Sequence, residues 1–430
     1  VTLGESASSG PGDHPLRPTL GLLDATAVGV GAIIGAGIFV VTGIAAAHAG
    51  SALVVSMLVA ASISFLTALS FAELTAWLPR EGSVYEFARR LLSPFAGFAT
   101  GWMWLVSNVF AGAAVALGLA SYLGALAPAL PVKWVAVAAC LSFAALNHFG
   151  VRASAILNNW LVGVKLLILL AFCLLGALYV RGENFRPFAP TGEGVLYGAV
   201  FIFFAYGGFA RVAVIAEEVR DASRTVPRAI LLSLAVSTAF YVVVGFVAVG
   251  LVGAARLSTS SSPLAMAIGA TGIPAAAYVV SVGGIVATAS VLLTSVLGVS
   301  RLAYAMARDG DLPDALAILH PRHRTPARAI WLTGLLMAAL ILLIDLGRVV
   351  AVSTFSLLLY YAIANVCALR LERGARRYAR AVPLLGVTSC LFLLAAILFI
   401  SPRAWLIGVG TLAGGTSYYL LRRRVLLRQR

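Results

Sequence analysis

Lys165 is the one lysine inside a long apolar stretch of this chain, in the run Leu161-Val162-Gly163-Val164-Lys165-Leu166-Leu167-Ile168. Counted from Arg152 at the near end of that stretch, it stands about 20 Å in at 1.5 Å per residue. An ammonium at that depth is costly, so such residues face a cavity and mark ion or proton routes. Desolvation disfavours the charged form of a lysine, which suits proton exchange. Snorkelling to the interface is the alternative, and the depth is large for it. The second cation inside an apolar stretch is Arg211. Arginine stays charged and needs a partner or a water path. Pairing with Glu217 or another carboxylate is the structural expectation, and contact with an anionic solute group the functional one.

The backbone itself supplies further chemistry. The run Gly29-Val30-Gly31-Ala32-Ile33-Ile34-Gly35-Ala36-Gly37-Ile38-Phe39 lies within an uncharged segment, roughly 25–47, that is long enough to cross a bilayer. Glycines at this density predict a helix broken near its middle, freeing N–H and C=O groups at membrane depth. Such groups are tolerated only where protein or a water-filled cavity satisfies them. A second glycine pair, Gly207-Gly208, interrupts Phe201-Ile202-Phe203-Phe204-Ala205-Tyr206-Gly207-Gly208-Phe209. Gly-interrupted segments in corresponding positions of two halves point to a transporter's solute site. Small-xxx-small helix packing is the competing explanation for each glycine run. A dinucleotide fingerprint is excluded, because no strand precedes the glycines and no acidic residue follows about 20 positions on.

These residues require a membrane scaffold. The chain of 430 residues is 61% hydrophobic and 11% charged, with a mean hydropathy of +0.99, far from the globular average. Twelve apolar spans are predicted, among them span 1 at roughly 24–47, span 5 at 154–180 and span 6 at 195–219. Of the 31 Lys and Arg, 23 fall in segments on one side when the N-terminus is placed inside, six fall on the other side, and two lie within spans. This asymmetry orients the chain with both termini cytoplasmic. It also accounts for the net charge of +15 without nucleic acid. The polar first residues carry no signal-peptide pattern and are expected to form a cytoplasmic tail, 1–23. The halves are expected at 24–180 (spans 1–5, broken near Gly35-Gly37) and 181–371 (spans 6–10, broken near Gly207-Gly208). An odd number of spans per half inverts the second relative to the first. Residues 372–430 hold two peripheral spans and a basic end. The fold class is therefore all-α integral membrane. Cys140, Cys173, Cys367 and Cys390 are widely spaced in apolar runs, which fits buried small residues and no metal site.

The segment 31–39 resembles the first-helix signature of the amino acid–polyamine–organocation transporter superfamily. Four further stretches match its pattern in order. They are Phe71-Ala72-Glu73-Leu74 followed by Pro79-Arg80-Glu81-Gly82-Ser83-Val84-Tyr85, and Ala216-Glu217-Glu218-Val219 with Arg224, Pro227 and Ile230. The last two are the stretch from Ser300-Arg301-Leu302 to Asp311-Leu312-Pro313, and His320-Pro321-Arg322 with Thr325-Pro326. The resemblance covers residues 24–330 by motif and the remainder by topology. It implies the leucine-transporter-like 5+5 inverted repeat and amino acid transport.

Carried over residue by residue, the resemblance assigns the substrate carboxylate to amides around Gly35, Ala36 and Gly37, where a helix restarts with its positive end. Carbonyls of Ile33, Ile34, Phe203, Phe204 and Gly207 are expected to take the ammonium, with Phe204 as an aromatic lid. Proton-coupled relatives have a span-5 lysine similar to Lys165, which stands in for a sodium ion. It is expected near carbonyls of span 1 and hydroxyls of span 8 such as Ser290. Glu73 and Glu217 are expected to gate or to brace cytoplasmic arginines. The chain departs from relatives at Ala210-Arg211, where several have an acid; this argues against arginine or lysine as substrate. The expected function is secondary active, proton-coupled symport of neutral amino acids at the plasma membrane, with H+ as coupling ion and no other cofactor. An exchanger or an amine transporter is the near alternative and a channel a distant one. An intramembrane enzyme is excluded for want of an HExxH helix, a Ser–Lys or paired-Asp arrangement, or a cofactor motif.

Overall fold

A computed structural model describes residues 19–79, 83–149, 155–188 and 190–428. The N-terminal tail through residue 18 with Arg17, the motif residues Arg80, Glu81 and Gly82, and Arg152 and Arg430 lie outside the described residues.

The first apolar segment is two helices, α1 (Leu22–Ile33) and α2 (Thr42–Ala49), joined through a wide helical turn at Gly37–Val41. After Gly50, whose φ of +58° ends the segment, come α3 (Leu53–Trp77) and the short α4 (Ser83–Leu91). Next are α5 (Pro94–Leu126), α6 (Val132–His148) and α7 (Ala155–Ala177). Ser93 starts α5 by accepting the Ala96 amide, with Pro94 at the first helical position, where its missing N–H costs nothing. The second glycine-interrupted segment is α8 (Gly192–Tyr206), a tight turn at Gly207–Ala210, and α9 (Arg211–Val214). Then follow α10 (Ala222–Val252), the short α11 (Ala254–Leu257) and α12 (Pro263–Gly269), and α13 (Pro274–Arg308). The chain closes with α14 (Ala327–Leu343), α15 (Leu346–Arg370), α16 (Ala381–Ile400) and α17 (Pro402–Arg428).

The described residues are thus all-helical, apart from a single bridge between Leu20 and Val219. Eight helical stretches among them are long and apolar enough to cross a membrane, and α6 and α14 are shorter apolar helices. Large side chains such as Leu167, Leu174, Leu343 and Phe399 are more than half exposed, the surface a bilayer would cover. The four cysteines are free and buried.

The broken segments lie at the centre. α1 packs against α10, α7 and the Gly207–Ala210 turn, α3 runs along α10 and α8, and α5 runs along α13 and α15. Polar side chains in these helices mostly turn back on their own carbonyls; Thr42, Thr75, Thr100, Ser121, Thr288 and Thr333 all do so. That keeps hydroxyls satisfied where no water reaches.

Candidate functional site

The break in the first segment falls where the glycines place it. α1 ends at Ile33, Ile34 is extended at φ −78° and ψ 94°, and helical bonding resumes with the Phe39 amide on the Gly35 carbonyl at 3.3 Å. Ala36, Gly37 and Ile38 therefore sit in the first turn of the resumed helix, where amides have no partner within the helix. On the other side of the break, three carbonyls of α1 and its cap are answered by side chains. Lys165, 1% exposed, donates from Nζ to Gly31 O at 3.1 Å and to Ile34 O at 3.3 Å. Tyr241 of α10 donates from Oη to Ile33 O at 2.7 Å, with Ala205 O of α8 at 3.3 Å.

Two more tyrosines act in the same way. Tyr122 of α5 donates to Phe39 O at 2.5 Å, and Tyr361 of α15 donates to Gly207 O at 3.0 Å. Each hydroxyl satisfies a carbonyl of an interrupted segment at a depth where water is scarce.

The second segment is tightened rather than opened. Gly207–Ala210 forms a turn of 3₁₀ type between α8 and α9, so the break expected near Gly207-Gly208 is a change of helical pitch with no extended residue. Its glycines matter for proximity. A methyl on Gly208 would fall on the Ala32 carbonyl and the Ile33 amide, and one on Gly37 would fall on Ala205. The two interrupted segments thus touch backbone to backbone at two points, which only glycine permits.

A cavity opens beside this contact. Ile33, Gly35, Ala36 and Gly37 line it from the first segment, and Phe204, Gly207, Gly208 and Arg211 from the second. α5 contributes Trp104, Ser107 and Asn108, α13 Val291, and α15 Ser353, Leu357 and Tyr360. Seven of the residues expected in the site, together with Gly208, are therefore gathered here. Ile34 and Phe203 are fully buried and do not line the cavity; the ring of Phe203 packs on Tyr361. Lys165 also lies off the lining, reaching the carbonyls of the break directly. Ser290, expected as its partner, hydrogen-bonds Ala287 O in its own helix at 3.0 Å. Of the two kinds of partner expected for the lysine, the span-1 carbonyls hold it and Ser290 does not.

Arg211 departs from the expectation of a carboxylate partner. Its Nη1 donates to Thr294 Oγ1 at 2.8 Å, and its Nη2 to Ser295 Oγ at 2.9 Å and Asn108 Oδ1 at 3.5 Å. None of the ion pairs among the described residues includes it. Glu217 is exposed in the turn Ala216–Glu218 and does not line the cavity. Asn108, Trp104 and Tyr360 did not emerge from the sequence; Asn108 had a signal, being an amide in the middle of a 33-residue apolar helix.

The inner ends carry separate networks. Glu73, 1% exposed, accepts the backbone amides of Arg377 and Tyr378, bracing the α15–α16 connection through its main chain rather than through arginine side chains. Tyr85 Oη lies 2.9 Å from Asp309 Oδ2 and 2.8 Å from Asp311 Oδ2 and accepts from Arg89 Nη1 at 2.7 Å. Burial, then the two carboxylates, push the Tyr85 phenol well above its ordinary range, so it remains a donor. Burial likewise raises the Asp311 carboxyl. His148 meets His320 and His323 from far away in sequence, the three ring centroids lying 4.9 to 5.5 Å apart.

Comparison with known proteins bears on this arrangement as a whole. Residues 20–414 match the amino acid permease family. An uncharacterized transporter of Mycobacterium tuberculosis is 38% identical, over 96% of this chain and 94% of its own length. The branched-chain amino acid permease BcaP of Bacillus subtilis is 31% identical over 96% of this chain and 95% of its own. A methylthioribose transporter of the same organism is 32% identical over 98% and 96%.

Proposed function

The chain belongs to the amino acid permease family, and from that premise we propose that it is a proton-coupled symporter of amino acids without a cationic side chain. The finer architecture of this reading is twelve spans, a 5+5 inverted repeat over 24–180 and 181–371, and cytoplasmic termini in a plasma membrane. The substrate's α-carboxylate sits on the first-turn amides Ala36 and Gly37, and its ammonium on carbonyls that face the cavity across the break.

The observation that carries coupling is the bond pair from Lys165 Nζ to Gly31 O and Ile34 O. Those carbonyls belong to the segment whose next residues, Gly35 to Gly37, line the cavity. A protonated Lys165 fixes their orientation through two charge-assisted bonds, and loss of the proton weakens both. Substrate occupancy and protonation then share one piece of backbone, which is the differential contact that coupling requires. The side-chain preference follows from the lining, whose one charged member among the described residues is Arg211. A cationic side chain would meet a guanidinium there with no carboxylate to offset it. Branched-chain side chains, the cargo named for one relative, meet no such conflict.

Uptake of labelled amino acids into proteoliposomes, under an inward proton gradient and without sodium, tests the reading in wild type and Lys165→Ala. Saturable, gradient-stimulated uptake that loses its gradient dependence in the variant is expected. Uptake that ignores the gradient and needs internal amino acid would make the protein an exchanger, and unsaturable flux a channel.

A further inference from the structure

We propose that Arg211 is the receptor for a second carboxylate, and that the preferred solutes are amino acids with an acidic side chain. This rests on amino acid transport through the cavity and names the substrate class of that site.

The guanidinium is a built group rather than a stray one. Thr294 Oγ1 spends its own proton on Ser290 O and Val291 O, at 3.1 and 3.0 Å, and so offers Arg211 a lone pair. Asn108 Nδ2 donates to Trp104 O at 2.9 Å, which turns Oδ1 towards Arg211. With Ser295, these partners take three of the five guanidinium N–H groups and orient the fork without neutralising it. Two N–H groups have no partner among the described residues.

The charge count points the same way. Lys165 lies against the break and Arg211 lines the cavity, and no Asp or Glu is among the described residues that line it. A cation at membrane depth without a counter-ion is costly, and the cost falls when an anion enters. A zwitterionic substrate brings one carboxylate, which the first-turn amides of the resumed helix claim. It leaves Arg211 unmatched. A second carboxylate on the side chain meets a planar donor fork suited to it. The carboxylate on Arg211 has two possible sources, the side chain or the α-carbon, and the experiment separates them.

Uptake of glutamate and aspartate is compared with that of glutamine, asparagine and leucine in proteoliposomes carrying wild type, Arg211→Gln or Arg211→Lys. Wild type is expected to take up glutamate with the highest kcat/KM. Arg211→Gln is expected to lower kcat/KM for glutamate by about 30-fold or more, and that for glutamine by less than about 3-fold. Arg211→Lys, which keeps the charge and loses the fork, is expected in between. Stabilisation of the purified wild type by glutamate, measured as a shift in melting temperature, reads the same preference with no variant. Equal losses for glutamate and glutamine would place the α-carboxylate on Arg211 and overturn the proposal. So would a wild type that carries leucine or glutamine and ignores glutamate, with amino acid transport left standing. Uptake of no amino acid at all would remove both.

Discussion

Replacing Gly208 by alanine sets a methyl group into the main chain of the neighbouring segment. The added carbon would lie 2.5 Å from Ala32 O and Ile33 N and closer still to the Ala32 carbonyl carbon. Nonbonded carbon contacts settle at about 3.5–4.0 Å, so the two segments must part by about 1 Å. Backbone cannot swing aside as a side-chain tip does, and overpacking of this kind costs about 1–3 kcal/mol. The same shift moves the strip from Gly31 to Ile34 that Lys165 and Tyr241 hold. Gly207 is the internal control, one residue away. Its methyl would meet the Leu357 methyls at 3.0 and 3.2 Å, the end of a flexible side chain. Its φ of −57° and ψ of −12° suit alanine, whose smaller unfolded-state entropy returns about 0.4–1 kcal/mol. Apparent melting temperature in detergent should show Gly207→Ala near wild type and Gly208→Ala lowered, and the initial uptake rate of Gly208→Ala should fall with it. Equal behaviour of the two variants, or a Gly208→Ala protein that melts and transports like wild type, would refute the tight backbone contact.

Tyr241→Phe leaves Ile33 O and Ala205 O without their buried donor, an expected loss of about 1–3 kcal/mol. It should lower the melting temperature and the uptake rate together, and an unchanged melting temperature would show that another donor takes over. Asp311 gives a pH dependence at the inner face. Burial raises its carboxyl in the folded protein, so its favourable contribution is complete below the unfolded value of about 3.9 and is lost as pH rises through the folded one. Asp311→Asn should therefore raise the melting temperature at neutral pH, with the gain shrinking as pH falls towards about 4. A loss of equal size across that range would contradict it.

What could be read from the chain was whatever has a local cause. Gly35 and Gly37 predict an interruption because glycine weakens a helix wherever it sits, and the interruption is at Ile34–Ala36. Apolar runs long enough to cross a bilayer predict membrane helices with no knowledge of packing. Lys165 could be flagged because its cost depends on depth, which is counted along one helix. Its neighbours are another matter. The lysine meets Gly31 and Ile34 across more than 130 residues, and Tyr241 meets Ile33 across 208. Such pairs depend on how helices are set against each other. Ser290 was assigned to Lys165 through likeness to relatives, while the serine turns to Ala287 in its own helix. Gly207-Gly208 reads as a break for the same reason as the first run, but here the helix tightens, since the glycines are used for contact with α1. Arg211 was expected to find a carboxylate and rests on two hydroxyls and an amide.

The three tyrosines on carbonyls of the interrupted segments have a bearing on how such a protein changes over generations. Tyr122, Tyr241 and Tyr361 come from α5, α10 and α15, outside the interrupted segments they serve. Because the scaffold itself supplies these donors, the interrupted geometry does not wait for a ligand to complete it. A substitution among the lining residues can then alter which solute fits while the interruption endures. Cargo becomes a variable that mutation explores cheaply, and the opening in the helix a constant that it inherits. Relatives of similar length named for solutes as unlike as branched-chain amino acids and methylthioribose are what such a division of labour would leave behind.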